Sequence, residues 1–248
     1  MPTYTVLINA GLLVGLIVTY LVSRRADLKS IQAIDAGLAG SCGGLVAGRA
    51  VYVAANWEYY QQYPWRAARV WQGGLNWHGV FAGAMLAILA YSTVRRLPTV
   101  HFLAALAPGA AILTTFTWLA CLTSNRAYGR ETFTRQTLLW RLSLELPDTY
   151  GAVLPRVAVQ WLGVLWGIIT MALVLIYALN DNQQLLTFPL WLALQGSGLA
   201  VLTVLRADAV PMVGTWRYDT IANLVLLAAG CTLYLHLRTK NYPKELRA

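Results

Sequence analysis

The chain has 248 residues, of which 58% are hydrophobic and 12% charged, with a net charge of +9 at neutral pH. The charged share is about half the roughly 25% of a soluble domain, and the mean hydropathy is +0.53. A soluble core could not hide this much apolar surface, a bilayer need not hide it, and a membrane-embedded chain makes nucleic acid a poor explanation for the positive charge.

Apolar runs long enough to cross the hydrocarbon recur along the sequence. The first, near 4–22, carries Gly11 and Gly15. No basic residue precedes it and no small-residue cleavage site follows it, so it does not read as a cleavable signal peptide. Arg24, Arg25 and Lys29 come next. By the positive-inside rule they place this loop in the cytoplasm and the N-terminus outside. The second run, 31–55, has Ala36, Gly40, Gly44 and Gly48 at every fourth position, and the third, 75–94, opens with Gly79 and Gly83. Small residues at this spacing let helix backbones approach closely, which predicts a tight core of spans one to three. Further spans fall near 98–122, 157–179, 187–206 and 217–237. Between the fourth and fifth lies a polar outer loop, 123–156. The expectation is one all-α polytopic domain over 1–248, with seven spans and a cytoplasmic C-terminus. The tail with Arg238, Lys240, Lys244 and Arg247 agrees with that side.

The loops carry basic residues unevenly by type. All three lysines fall on the inner side, together with Arg95 and Arg96, whereas the inner loop 180–186 has only Asp181. The outer side has Arg66, Arg69, Arg126, Arg130, Arg135, Arg141, Arg156, Arg206 and Arg217. Arginine presents a planar fork suited to phosphate or carboxylate. These residues are either interfacial arginines meeting headgroups or a headgroup site. Cys42, Cys121 and Cys231 are odd in number and suggest neither disulfide nor metal. His78, His101 and His236 sit on different spans without ligand spacing.

Polar groups inside a bilayer are costly and mark candidate sites. The topology places Arg49, His78, Gln160, Arg206, Arg217, Asp219 and Asn223, with the loop Tyr128-Gly129-Arg130, toward one outer leaflet; Gln195 alone falls at the midplane. Arg49 reads as part of a polar pocket, or as snorkelling to the interface, or as paired with Glu58 or Glu131. Alone, His78 reads as an interfacial donor to a carbonyl and Gln160 as an interhelical hydrogen bond. A transporter fits poorly, because midplane charge is scarce and no pair of interrupted spans repeats between the halves.

Specific segments go further. Arg69-Val70-Trp71-Gln72-Gly73-Gly74-Leu75-Asn76-Trp77-His78-Gly79 resembles the R-V-W-x-G-G-x-x-x-H-G segment of the prolipoprotein diacylglyceryl transferase family. Gly48-Arg49-Ala50-Val51-Tyr52 is similar to that family's G-R-x-G-Y. Tyr128-Gly129-Arg130 resembles the end of its signature G-R-x-G-N-F-x-N-G-E-x-Y/W-G-R. The stretch from Asp148 to Arg156 resembles the approach to R-H-P-x-Q-L-Y-E, with Gln160 on the glutamine. Arg206 and Asp208 look like R-x-P-D with one residue fewer. The matches run in order along nearly the whole chain.

The resemblance implies transfer of a diacylglyceryl group from phosphatidylglycerol to a lipobox cysteine at the outer leaflet of the bacterial plasma membrane. It implies His78 as catalytic base, Arg49, Arg130 and Arg206 around the lipid phosphate, and Gly129, Tyr128 and Gln160 in support, with no cofactor and no metal. The implied partners are phosphatidylglycerol or another anionic phospholipid and a prolipoprotein signal peptide. Other signature positions differ. Trp118 stands for the signature arginine, Cys121 and Ser124 for its asparagines and Arg126 for its glutamate. Val157-Ala158 replaces His-Pro, and Leu162-Gly163 replaces Tyr-Glu. Leu199 and Thr203 fall near the arginine and glutamate of a sixth-span R-x-x-x-E, and the first-span tyrosine has no clear counterpart beyond Tyr4 and Tyr20. The alternative is therefore a catalytically inactive relative that binds phospholipid or packs as a subunit of a membrane complex.

Overall fold

The structure is a computed structural model. It describes residues 2–26, 28–133, 138–148, 150–180, 183–208 and 210–245, and the side chains of 2 and 240–245 are not included. Arg135, Asp181 and Arg247, and the side chains of Lys240 and Lys244, therefore lie outside what is described. Among the described residues, seven helices are long and apolar enough to cross a membrane. They are α1 (Pro2–Arg25), α2 (Ser30–Ala55), α4 (Trp77–Val94), α5 (Thr99–Thr123), α7 (Val159–Ala178), α8 (Thr187–Leu205) and α9 (Tyr218–Glu245). The short helices α3 (Trp57–Tyr60) and α6 (Leu138–Arg141) lie in loops. The spans expected from hydropathy thus agree with the helices to within a few residues, except that α9 runs eight residues past the expected end at 237. Their flanks expose large apolar side chains, among them Val46, Leu86, Val201 and Val225, as lipid-facing surfaces do.

The chain forms two compact units, residues 23–102 and residues 1–22 with 103–248. In the first, α2 and α4 run antiparallel in backbone contact. A Cβ on Gly43 would stand 2.6 Å from the Gly83 carbonyl oxygen, one on Gly44 3.0 Å from the Val80 oxygen, and one on Gly79 2.9 Å from the Ala47 oxygen. Lipid tails are as apolar as leucine, so this close packing, rather than a hydrophobic drive, holds the helices together. A Cβ on Gly83 would strike the Gly43 carbonyl. We expect Gly83→Ala to cost about 1–3 kcal/mol through overpacking, read as a lower thermal midpoint in nanodiscs; an unchanged midpoint would mean that the helices part freely.

The glycines of the first span meet a different partner from the one the sequence suggested. Gly15 faces Gly109 of α5, where its Cβ would be 2.7 Å from the Gly109 oxygen, and Gly11 faces Phe116. In this second unit nearly every helix contact has a glycine at its centre: Gly167 against Thr115, Gly198 against Trp166, Gly196 against Leu227, and Gly230 against Ala193. Polar links add direction. Trp166 Nε1 donates to the Leu194 carbonyl at 2.9 Å, Thr203 and Thr220 hydroxyls meet at 3.0 Å, and those of Tyr177 and Tyr234 at 3.3 Å.

The polar stretch 123–156 holds more order than a loop. Strands β1 (Ser143–Pro147) and β2 (Val153–Val157) pair antiparallel, with Glu145 opposite Pro155. Gly151, at φ +89°, occupies the left-handed conformation that the turn needs. A second, two-residue pair, β3 (Met212–Val213) and β4 (Trp216–Arg217), joins α8 to α9 around Gly214 at φ +61°.

Candidate functional site

In the unit of residues 23–102, Arg49 is buried near the end of α2. Its Nε donates to the Ala67 carbonyl at 2.8 Å and Nη2 to that of Arg66 at 2.8 Å; Nη1 donates to Gly73 at 2.5 Å and Gly74 at 3.0 Å. The cation also lies 5.7 Å from the Tyr52 ring centre and 5.3 Å from that of Tyr60. A guanidinium has five N–H donors, so this one is spent mostly on the backbone of the loop 66–74. Neither Glu58 nor Glu131 partners it. Gly74, at φ +81°, has no room for a side chain, since a Cβ would sit 2.8 Å from Arg49 Nη1. The loop then enters α4 through Asn76. Its backbone N–H bonds to the Gly48 carbonyl at 3.0 Å, and its side chain caps the helix by accepting from Gly79 N–H at 2.9 Å. His78 sits in the first turn of α4, half-buried. Arg49, through the carbonyls of Gly73 and Gly74, thus fixes the segment that delivers His78.

The other predicted residues lie in the second unit. Tyr128, Gly129 and Arg130 form an extended seam between the exit of α8 and the hairpin. Arg130 N–H bonds to the Leu205 carbonyl at 2.9 Å, Ala207 N–H to Tyr128 at 3.0 Å, and Val157 N–H to Arg130 at 3.0 Å. Gly129 pairs with Arg206, and a Cβ there would strike the Val157 carbonyl. The structure therefore brings Tyr128, Gly129 and Arg206 together. Gln160 is buried at the start of α7, donates from Nε2 to the Arg126 carbonyl at 3.1 Å, and leaves Oε1 buried without a partner.

Three arginines here are tied to acids. Arg206 forms a bidentate pair with Asp208, 2.7 Å from Nε to Oδ1. Arg217 pairs with Asp219 at 3.2 Å and donates to the Asp208 carbonyl at 3.1 Å. Burial pulls the Arg206 pKa down, but the Asp208 hydrogen bond and the charges of Asp208 and Asp219 outweigh it, and the value lies above the usual one. Arg156, only 3% exposed, contacts Glu131 at 2.9 Å and Asp148 at 3.3 Å and lies 5.0 Å from the Tyr128 ring centre. Arg126 and the exposed Arg130 have no acidic partner among the described residues; Arg126 lies 5.0 Å from the Tyr4 ring centre. The sequence singled out Arg217 and Asp219 as candidate polar groups but did not pair them, and it gave Arg156 no acidic partner. The repeated pattern Arg206-Ala207-Asp208 and Arg217-Tyr218-Asp219 was the signal. Arg206 is extended, where alternate residues share a face, whereas Arg217 ends β4 and reaches Asp219 in the first turn of α9.

Asp148 fastens the hairpin turn, accepting the N–H groups of Tyr150 at 2.8 Å and Ala152 at 3.0 Å. Burial alone would raise its pKa, but those bonds and the Arg156 charge hold it below the usual carboxylate value. A carboxyl depressed in the folded state stabilises it above the unfolded value of about 3.9 and loses that contribution as pH falls through the folded value. Amide exchange at Tyr150 and Ala152 should therefore stay slow near neutrality and accelerate, relative to other amides, only below about pH 4. Acceleration already near pH 6 would contradict this.

Helices α5 and α7 meet through Trp118 and Gly163. Trp118 is buried on α5, and its indole covers Gly163 of α7 so closely that a Cβ on Gly163 would strike the ring.

Seven helices long and apolar enough to span define a multi-pass membrane protein. The model of the prolipoprotein diacylglyceryl transferase family matches residues 1–236, and the chain belongs to that family. It is 25% identical to the phosphatidylglycerol–prolipoprotein diacylglyceryl transferase of Bacillus velezensis, over 96% of this chain and 89% of that one. It is 28% identical to the enzyme of the same name from Fervidobacterium nodosum, over 98% and 83%, and 26% identical to that of Thermotoga maritima, over 94% and 81%.

Proposed function

We propose that the protein transfers a diacylglyceryl group from phosphatidylglycerol, or another anionic phospholipid, to the lipobox cysteine of a prolipoprotein signal peptide at the outer leaflet of a bacterial plasma membrane, with its N-terminus outside. The Arg49 clamp on Gly73 and Gly74 carries this reading, because it fixes the loop that ends at His78. His78 takes the thiol proton. The sulfur attacks the diacylglycerol carbon bonded to the phosphate oxygen, a C–S bond forms as the C–O bond breaks, and glycerol phosphate leaves with the electron pair. The leaving anion needs cationic donors. Arg130 and Arg206 supply them at the seam, with Gly129 allowing close backbone approach. Tyr128 and Gln160 shape the seam, and Arg49 acts through the loop it holds.

The second reading is a non-catalytic relative that binds phospholipid or serves as a complex subunit. Trp118 over Gly163 favours it: in the resemblance these positions carry an arginine and a glutamate, and here an indole and the space for it. The test is transfer in nanodiscs containing phosphatidylglycerol, with a lipobox peptide read by mass spectrometry. The transferase reading expects a diacylglyceryl mass gain that His78→Ala abolishes without loss of fold. No gain, while a known family member is active in parallel, would reject that reading and leave the binding one.

A further inference from the structure

We propose that Arg66 and Arg69 form a phosphate-binding site for a phospholipid headgroup on the loop between α2 and α4, independent of the transfer chemistry. The loop contains a 3-10 turn, Pro64–Ala68, for which Arg69 is the C-cap. Side chains three apart eclipse in such a turn, so both cations rise on the same side. Both rest on one indole: the Arg69 guanidinium lies 4.0 Å and that of Arg66 5.2 Å from the Trp65 ring centre. Arg66 also lies 4.6 Å from the Tyr63 ring and donates to the Tyr59 hydroxyl. Neither has an acidic partner among the described residues.

A guanidinium beside a ring keeps N–H donors available for a ligand. Two such forks suit the two non-bridging oxygens of a phosphodiester. The site is preorganised, because Arg49 grips the carbonyls of Arg66 and Ala67 from below. The surroundings select a lipid over a free anion. Trp57, Trp65 and Trp71 are 60%, 53% and 76% exposed, and indoles favour the headgroup layer.

The test uses the full chain in phosphatidylcholine nanodiscs doped with phosphatidylglycerol, with retained lipids counted by native mass spectrometry. No turnover is involved, so the result is independent of the transfer reading. The wild type should retain one phosphatidylglycerol more than Arg66→Gln/Arg69→Gln, the abundance of that species falling at least about tenfold with the lost charge-assisted bonds. Melting in the same nanodiscs reports folding. Should the double variant unfold, Arg69→Lys, which keeps the charge but loses the fork, should still weaken retention. Equal retention in the wild type and folded variants would overturn the proposal. Retention of added inorganic phosphate by the wild type but not the double variant, with no difference in retained phosphatidylglycerol, would overturn the assignment to a lipid.

Discussion

Replacing Arg49 by alanine should lower the thermal midpoint in nanodiscs by roughly 6–12 °C, corresponding to about 3 kcal/mol. The four carbonyls that Arg49 engages belong to Arg66, Ala67, Gly73 and Gly74. Removing the cation leaves polar groups at the end of an apolar helix with no donor, and a hydrogen bond to a charged group is worth about 1.5–3 kcal/mol. Water recovers part of that loss. Lysine should not rescue the fold, because one ammonium cannot copy a fork that reaches two separate stretches of the loop. A stable Arg49→Ala protein, or full rescue by lysine, would show that the loop holds its shape without this clamp. A phosphate-binding Arg49 would instead lose lipid while keeping its melting point.

The second large effect concerns Trp118 and Gly163. Trp118→Arg places an unpaired cation in a buried position, and Gly163→Glu drives a carboxylate into the indole; each should cost about 3–5 kcal/mol. The double variant puts opposite charges side by side in the space the indole left. It should be more stable than the sum of the single losses predicts, with a coupling of about 1–3 kcal/mol. Thermal denaturation of the four proteins measures the cycle. Additive losses would mean that the two positions do not share one space and would remove the argument for a joint replacement.

Much of the fold was legible because hydropathy and length alone define spanning helices, and the helices follow the apolar runs closely. The glycine stripe of the second and third spans also read correctly, since Gly40, Gly44, Gly48, Gly79 and Gly83 all sit where α2 and α4 meet. The partner of the first span did not, because a stripe states that something approaches closely but not what. Gly11 and Gly15 lie about a hundred residues before the α5 groups they meet. The hairpin in 123–156 had a local signal in Leu144-Glu145-Leu146 and the Asp148–Gly151 turn, which the overall polarity of the stretch concealed. Arg49 stood out as costly, but only coordinates distinguish a cation that awaits a ligand from one that already holds four carbonyls. The contact of Trp118 with Gly163 joins positions 45 apart on different helices, and no periodicity reports it.

The interlocked α2 and α4 differ in length, with 26 and 18 residues. Asn76 bonds to the Gly48 carbonyl, so α4 begins where α2 still has about two turns to run. Those turns carry Arg49, which therefore stands level with the start of its neighbour and outside the stretch that both helices share. The shared stretch is about 27 Å long, somewhat less than the roughly 30 Å of an average hydrocarbon core. Backbone contacts at Gly43 and Gly83 prevent one helix from sliding or tilting past the other to take up the difference. The two further turns of α2 beyond Gly48 make up the difference, and the loop they hold sits past the end of the shared stretch.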